Sequence, residues 1–246
     1  MRSFFRILLI TALFFPFAGT SAAAPERPLL SPIFGNHMVL QRGKPNTIWG
    51  WAPPGRKITL TLAGRVAATT AGTDGRWEVS IEPPPSPGPH ALIVEGPQRV
   101  QLDDLLVGDV WLCAGQSNMN FPLAQARDGE TAVAAAHHPA IRFFKVAPRA
   151  AYGPVSTPRG SWQVCTPQSV ADTGLSAVAY FFARRVQAET GVPIGLVQAA
   201  VGGTPAESWM GAAALQRVGG FDPALGLIDR LRAACAPEHG NYISHW

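Results

Sequence analysis

The 246 residues, 47% hydrophobic and 15% charged, are too apolar for a disordered chain and long enough for one large core or two small ones. The formal charge is +4, and Arg2 and Arg6 in the first 24 residues carry two of those charges, so the remainder is nearly balanced. With no clustered Lys/Arg stripe this points to no nucleic-acid partner, and the three cysteines fit neither a zinc site nor a disulfide framework.

Along the chain, Arg2 and Arg6 precede an apolar run from Ile7 to Phe17 and the small residues Ala18 to Ala24, the composition of a secretory signal peptide over residues 1–24. That run is shorter than the roughly 20 residues that span a bilayer, so no stable membrane anchor is expected after cleavage. The expected destination is outside the cytoplasm, in the periplasm or the medium. Residues 25–104 follow, punctuated by turn signals at Gly35-Asn36, Pro53-Pro54-Gly55, Thr73-Asp74-Gly75 and Pro83 to Pro89. Between them lie short runs with period-two alternation: Asn46 to Trp51, Lys57 to Leu62, Trp77 to Ile81 and Ala91 to Val94. Alternation of that kind predicts antiparallel strands with one buried face, a small β-sandwich domain.

In residues 105–246 the pattern changes. Apolar runs at Val107–Leu112, Ile141–Val146 and Ile194–Gln198, separated by helical segments, predict a parallel α/β sheet. Leu175, Val178, Ala179, Phe182 and Val186 recur at helical spacing before Gly191 and Pro193, predicting a helix over 175–190 with that face on the sheet. A second helix around Thr131 to Ala136 is expected to end at His137-His138, where cations favour a helix C-terminus, and a last one at Pro223 to Cys235. Three parallel strands make an incomplete doubly wound sheet with a hydrophobic edge that would ordinarily be covered. Cys113 lies in the first of these strands and reads as a buried, inert thiol, with a bridge to Cys165 left open.

The first apolar run ends in Gly115-Gln116-Ser117-Asn118, which makes Ser117 a strand-end nucleophile candidate. It is not the α/β-hydrolase elbow, since Met119 stands where that motif needs a second glycine. A serine at a turn is ordinarily just a solvated residue, so the assignment depends on what converges on it. The third run ends in Val201-Gly202-Gly203-Thr204-Pro205, and so lies on the same carboxyl edge, where ligands of open α/β sheets bind. Glycines there let a backbone N–H face a developing oxyanion. Glu207 has two readings, an acid at a helix start or a contact to a substrate hydroxyl, and Trp209 likewise, as packing or as a stacking surface for a sugar. Asn118 could orient the nucleophile loop; Asp109 reads as capping or solvating a strand end.

Taken together, Met38-Val39-Leu40-Gln41-Arg42, Gly108 through Met119, Ser176 through Phe182 and Gly202 through Trp209 resemble the sialate O-acetylesterase family over nearly all of the chain after residue 24. The resemblance implies an SGNH-type hydrolase domain, flavodoxin-like in topology, preceded by a β-sandwich, that removes acetyl groups from carbohydrates, sialic acids first among them. It puts the nucleophile on Ser117 and the glycine oxyanion donor on Gly202-Gly203, with Gly203 preferred and the Ser117 N–H as second donor. Neither a metal nor an organic cofactor is implied. The family's later Gly-Glu-Ser-Asn-like and Asp-x-x-His motifs do not occur, so the general base histidine and its aspartate are expected to be missing. The chain is accordingly expected to be truncated and inactive alone. His37, His90, His137, His138, His239 and His245 all lack the Asp-x-x-His context. Rival expectations are an acetylxylan esterase of related type and a non-catalytic carbohydrate-binding protein.

Overall fold

The computed structural model describes residues 27–149, 153 and 155–234; the signal-peptide reading, Cys235, His239 and His245 lie outside them. Chain order begins with β1 (Val39–Gln41), β2 (Asn46–Trp51), β3 (Lys57–Leu62), β4 (Arg65–Thr70), β5 (Arg76–Ile81), β6 (His90–Glu95) and the long β7 (Arg99–Gly115). Antiparallel pairing runs β4-β3-β6-β7, and β2 with β5 forms a separate two-stranded sheet. Alternation explains how they pack. Ile58, Leu60 and Leu62 of β3 are fully buried, and they share one core with Ile48, Trp77 and Ile81 of the two-stranded sheet. The Trp77 indole N–H, taken out of water with the ring, donates to the Leu29 carbonyl at 2.9 Å.

β7 changes partners along its length. Residues 99–105 pair antiparallel with β6, residues 106–108 pair parallel with β1, and residues 109–115 pair parallel with the strand that precedes Gly202. The change in hydrophobic pattern expected at residues 104/105 therefore falls inside one continuous strand. What changes there is burial, from alternating to four consecutive buried residues, Leu105 to Gly108. Asp104 marks the joint with φ +57, a left-handed conformation that Asp tolerates better than most residues.

Past β7 come α1 (Ser117–Asn120), a 3₁₀ turn (Leu123–Gln125), α2 (Gly129–Ala134), β8 (His138–Lys145), β9 (Trp162–Cys165), α3 (Pro167–Thr173), α4 (Ala177–Thr190) and β10 (Ile194–Ala200). A 3₁₀ turn (Ala206–Trp209), α5 (Ala212–Val218) and α6 (Asp222–Ala234) complete the described chain. β7, β10 and β8 form the expected parallel sheet, with β10 in the middle and β9 antiparallel outside β8. A mixed α/β fold with a largely parallel central sheet and a small antiparallel β domain is thus present. No helix among the described residues is long and apolar enough to cross a membrane.

Several local expectations need correction. α4 faces the sheet through Ala179, Tyr180 and Ala183, whereas Val178 is 51% exposed and Phe182 lies at the margin, edge-on to Trp111 at 4.9 Å. Two adjacent apolar stripes run along this helix, and the one with the small residues allows the closer approach. His138 caps no helix: it opens β8 and its Nε2 lies 3.2 Å from the Tyr180 hydroxyl, where burial first, then Arg184 and His137, lower its pKa. Asp109 is not a strand end but sits within β7, held by Arg42 through two hydrogen bonds of 2.8 and 2.9 Å. Gln41 beside it accepts the Val110 N–H at 2.9 Å, so Gln41-Arg42 tie β1 to β7. The hydrophobic edge expected of the short sheet is present, with Leu112 70% exposed and Trp111 44% exposed.

The open Cys113–Cys165 bridge is ruled out by register. Cys113 stands opposite Gln198, and through it level with Lys145, whereas Cys165 stands opposite His138. That is roughly 20 Å along the strands, well past the ~7 Å between Cα atoms that a disulfide tolerates. Both thiols are free, and burial pushes Cys165 up to about 12 and Cys113 to about 11, so neither is a nucleophile near neutral pH.

The joint at Asp104 yields a stability prediction. Arg142, with a side chain 6% exposed, donates to both Asp104 oxygens at 2.6 and 3.3 Å, and His37 Nδ1 lies 2.7 Å from the same carboxylate. The Arg142 hydrogen bond, ahead of an opposing desolvation effect and a smaller hydrogen bond from His37, lowers the Asp104 pKa. Asp104→Asn, which keeps the shape and tolerates φ +57, is expected to cost about 2 kcal/mol in urea unfolding at neutral pH. That is below the usual figure for breaking a buried pair because Asp104 is partly solvated. A folded pKa below the unfolded value means the unfolded chain binds more protons in acid. The difference between the two proteins should therefore be full above pH ~4 and vanish as pH falls below the ordinary carboxylate range. A constant difference down to strong acid would show that the charge is not what holds the joint.

Candidate active site

Strand register brings the two glycine turns together. Ala200 of β10 pairs with Gly115 of β7, and the Val201 N–H extends the ladder by donating to the Gly115 carbonyl at 3.1 Å. Both strands then end at the same level, so Gln116-Ser117 and Gly202-Gly203 leave the sheet side by side. A Cβ on Gly202 would lie 3.7 Å from the Cα and Cβ of Ser117. Gly203 has φ +78, a conformation in which a side chain is strained whatever the space. Gly115, at φ +151, also meets a steric limit: a Cβ there would come within 3.2 Å of Met119 Cβ, where α1 folds back over the strand end.

The segment after Ser117 is pinned by the helix that follows it in space. The Leu123 N–H donates to the Leu175 carbonyl at 2.8 Å and the Ala177 N–H to the Phe121 carbonyl at 2.9 Å. Ser176, fully buried, accepts from the Ala179 N–H as N-cap of α4, and its own N–H donates to Gln198 Oε1 at 3.0 Å. The Ser176-to-Phe182 motif thus holds the platform under Ser117 and does not contact the site chemically. On the other side, Thr204 donates to the Val201 carbonyl at 2.7 Å and accepts the Trp209 indole N–H at 2.9 Å. That bond and its half-buried ring give Trp209 a packing role. Glu207 lies exposed in the first turn of the 3₁₀ segment, and Asn118 is exposed beside Ser117.

At the centre stands a residue whose importance the sequence pattern did not signal. Gln116 Oε1 accepts three hydrogen bonds: from the Ser117 N–H at 2.8 Å, from the Ser117 hydroxyl at 2.8 Å and from the Gly203 N–H at 3.4 Å. Two backbone N–H groups, from the segments that follow two different strands, therefore converge on one oxygen next to an exposed serine hydroxyl. The arrangement suits acyl transfer, in which a carbonyl oxygen gains charge while a neighbouring nucleophile attacks its carbon.

The described histidines lie at the other end of the sheet. His90 pairs with Leu105, His37 bonds to Asp104, and His138, next to His137, begins a strand three residues before the level of Asp109. Each is roughly 30–35 Å of strand from Ser117, against the ~3 Å over which a base takes a proton. Among the described residues no three His, Cys, Asp or Glu side chains gather closely enough to hold a metal ion.

Comparison with known proteins identifies the chain's relatives. Residues 107–234 match the family model for carbohydrate esterases described as sialic acid-specific acetylesterase. The chain is 30% identical over 203 residues to the sialate O-acetylesterase of Rattus norvegicus, covering 75% of this chain and 38% of that protein. It is 29% identical over 204 residues to the Homo sapiens sialate O-acetylesterase, covering 75% of this chain and 39% of that one. A crystal structure of a carbohydrate acetylesterase from Xanthomonas citri superposes with a TM-score of 0.73 at 37% identity, covering 89% of this chain and 48% of its own. The chain thus spans about two fifths of the length of the curated relatives it matches and about half of that solved neighbour.

Proposed function

This chain belongs to the sialic acid-specific acetylesterase family of carbohydrate esterases, and from that premise we propose that it acts on O-acetyl esters of carbohydrates through Ser117, with sialic acids as the preferred sugar. Ser117 Oγ attacks the acetyl carbonyl carbon, the bond to the sugar oxygen breaks, and the sugar leaves as an alcohol with a proton. Water then attacks the acyl-serine, releasing acetate and restoring the hydroxyl. The N–H groups of Ser117 and Gly203 receive the oxyanion, and Gly202 keeps the turn close to Ser117. Donors of this kind are each worth roughly 3 kcal/mol of transition-state stabilisation elsewhere. The observation that carries the reading is the convergence of those two N–H groups on one oxygen beside the Ser117 hydroxyl.

With the described histidines at the far end of the sheet and none of the six in an Asp-x-x-His context, the proposal includes little turnover at most by these 246 residues, since no described imidazole reaches the Ser117 proton. The same placement favours, as a second reading, glycan binding without hydrolysis. Residues 1–24 are taken as a secretory leader, which puts the protein in the periplasm or the medium.

Acetate release and glycan binding, measured on acetylated sialic acid and on acetylated xylan, test the proposal. Slow release from the sialic acid ester ahead of xylan is expected. Release from xylan alone would move the assignment to a related acetylxylan esterase. Binding without release, unchanged by Ser117→Ala, would make the protein a carbohydrate-binding one.

A further inference from the structure

We infer that the side-chain carboxamide of Gln116 is a built-in occupant of the oxyanion pocket, which the acetyl oxygen of a substrate has to displace; this rests on the esterase reading of Ser117 and Gly203. The pocket is defined by donors only. A backbone N–H cannot accept, so the Gln116 atom that faces both Ser117 N–H and Gly203 N–H is its carbonyl oxygen and not its NH₂ group. That oxygen stands where an ester carbonyl would have to sit to become an oxyanion.

Two consequences follow for the reaction. The Ser117 proton is donated into the pocket at 2.8 Å, so the resting hydroxyl points at Gln116 and not outward toward a base. A neutral carboxamide oxygen also competes well with a neutral ester carbonyl but poorly with an oxyanion, whose charge-assisted hydrogen bonds are roughly twice as strong. Displacing Gln116 costs the same in both states, so a neutral ester carbonyl gains little net from the pocket while the oxyanion still gains, which keeps ground-state binding weak relative to the transition state. Gln116 is exposed and lies outside the buried platform, so its side chain has room to swing away. It is in this sense a positioning residue, acting through the pocket it fills.

The test uses the 246-residue chain, ¹⁵N-labelled, with the Ser117 and Gly203 amide signals followed while acetate, a carboxylate of the product's shape, is added. Gln116→Ala should bind acetate about fivefold more tightly than the parent, the factor that corresponds to one net hydrogen bond no longer in competition. Its two amide signals in the absence of acetate should move toward those of unbonded N–H groups. Gln116→Glu, whose carboxylate holds the pocket by charge-assisted bonds, should bind acetate at least fivefold more weakly. A purely structural role would shift both variants the same way. Equal or weaker acetate binding by Gln116→Ala, with both amide signals responding in every form, would overturn the occupancy of Gln116 and leave the pocket standing. Failure of acetate to move either amide signal in all three forms would overturn the pocket itself, and the esterase reading with it.

Discussion

Replacing Ser117 by alanine is expected to reduce acetylation of the chain by an activated acetyl ester to the background of its other nucleophiles, a loss of about a hundredfold or more at this position. An activated ester such as p-nitrophenyl acetate suits the measurement because its phenolate departs without needing a proton. Attack then depends on the hydroxyl and the oxyanion donors, both of which stand at the carboxyl edge, with Ser117 releasing its proton to solvent. Peptide mass spectrometry should find the acetyl group on Ser117 in the parent and nowhere comparable in the variant. The fully buried Ser31 and Ser176 are shielded, so the background comes from exposed groups elsewhere. Equal acetyl incorporation and equal acetate release in Ser117→Ala would remove the serine from the mechanism, whatever family the chain belongs to.

Gly108→Ala is expected to be severely damaging for a single methyl addition, at about 3 kcal/mol or more, beyond the usual range for overpacking. A Cβ there would stand 1.9 Å from the Pro193 carbonyl oxygen and 2.7 Å from its carbonyl carbon. These are backbone atoms, so no rotamer change relieves the clash. The same carbonyl accepts the Asp109 N–H at 2.9 Å and starts the β7–β10 ladder, while the Gly108 carbonyl accepts the Arg42 N–H at 2.8 Å. A shift at this point would therefore disturb both the joint to β1 and the register that sets Ser117 beside Gly203. Thermal unfolding should show a loss of about 6–12 °C for a chain of this size. Gly203→Ala is the contrast: nothing lies within 4 Å of its added Cβ, and only φ +78 opposes it, for about 1 kcal/mol. Similar unfolding midpoints for the two variants would show that the close approach at Gly108 is not as tight as described.

Strands and helices with strong periodicity were legible from residues alone. Lys57 to Leu62 alternates and is a half-buried strand, and Ile194 to Val197 is apolar and lies in the sheet interior. Elements with weak patterns were not. β9 has four residues and is positioned by the Trp162 indole N–H on the Ile33 carbonyl at 2.7 Å, a contact between residues far apart in sequence. β4, with its mixture of Arg, Ala and Thr, forms because β3 offers it an edge. In the site, Ser117 and Gly203 carried a signal in their glycine-rich contexts. Gln116 carried none, because a long polar side chain next to a turn ordinarily points into water, and only its third partner, from a turn 87 residues away, distinguishes it.

The residues by themselves determined which stretches are buried, where strands end in glycine turns, and which hydroxyl stands at such an end, because local burial and backbone freedom are properties of short segments. Register, strand order and partner choice were decided only in three dimensions. One strand, β7, serves the sandwich, the short parallel strand β1 and the central sheet in succession. Its pairing with β10, residue for residue from Asp109 to Gly115, is what puts the Gly203 N–H beside Ser117, and together with the registers of β10 with β8 and β8 with β9 it parts Cys113 from Cys165. No short segment encodes such a distance, since it is the sum of contacts made by both strands along their whole shared length.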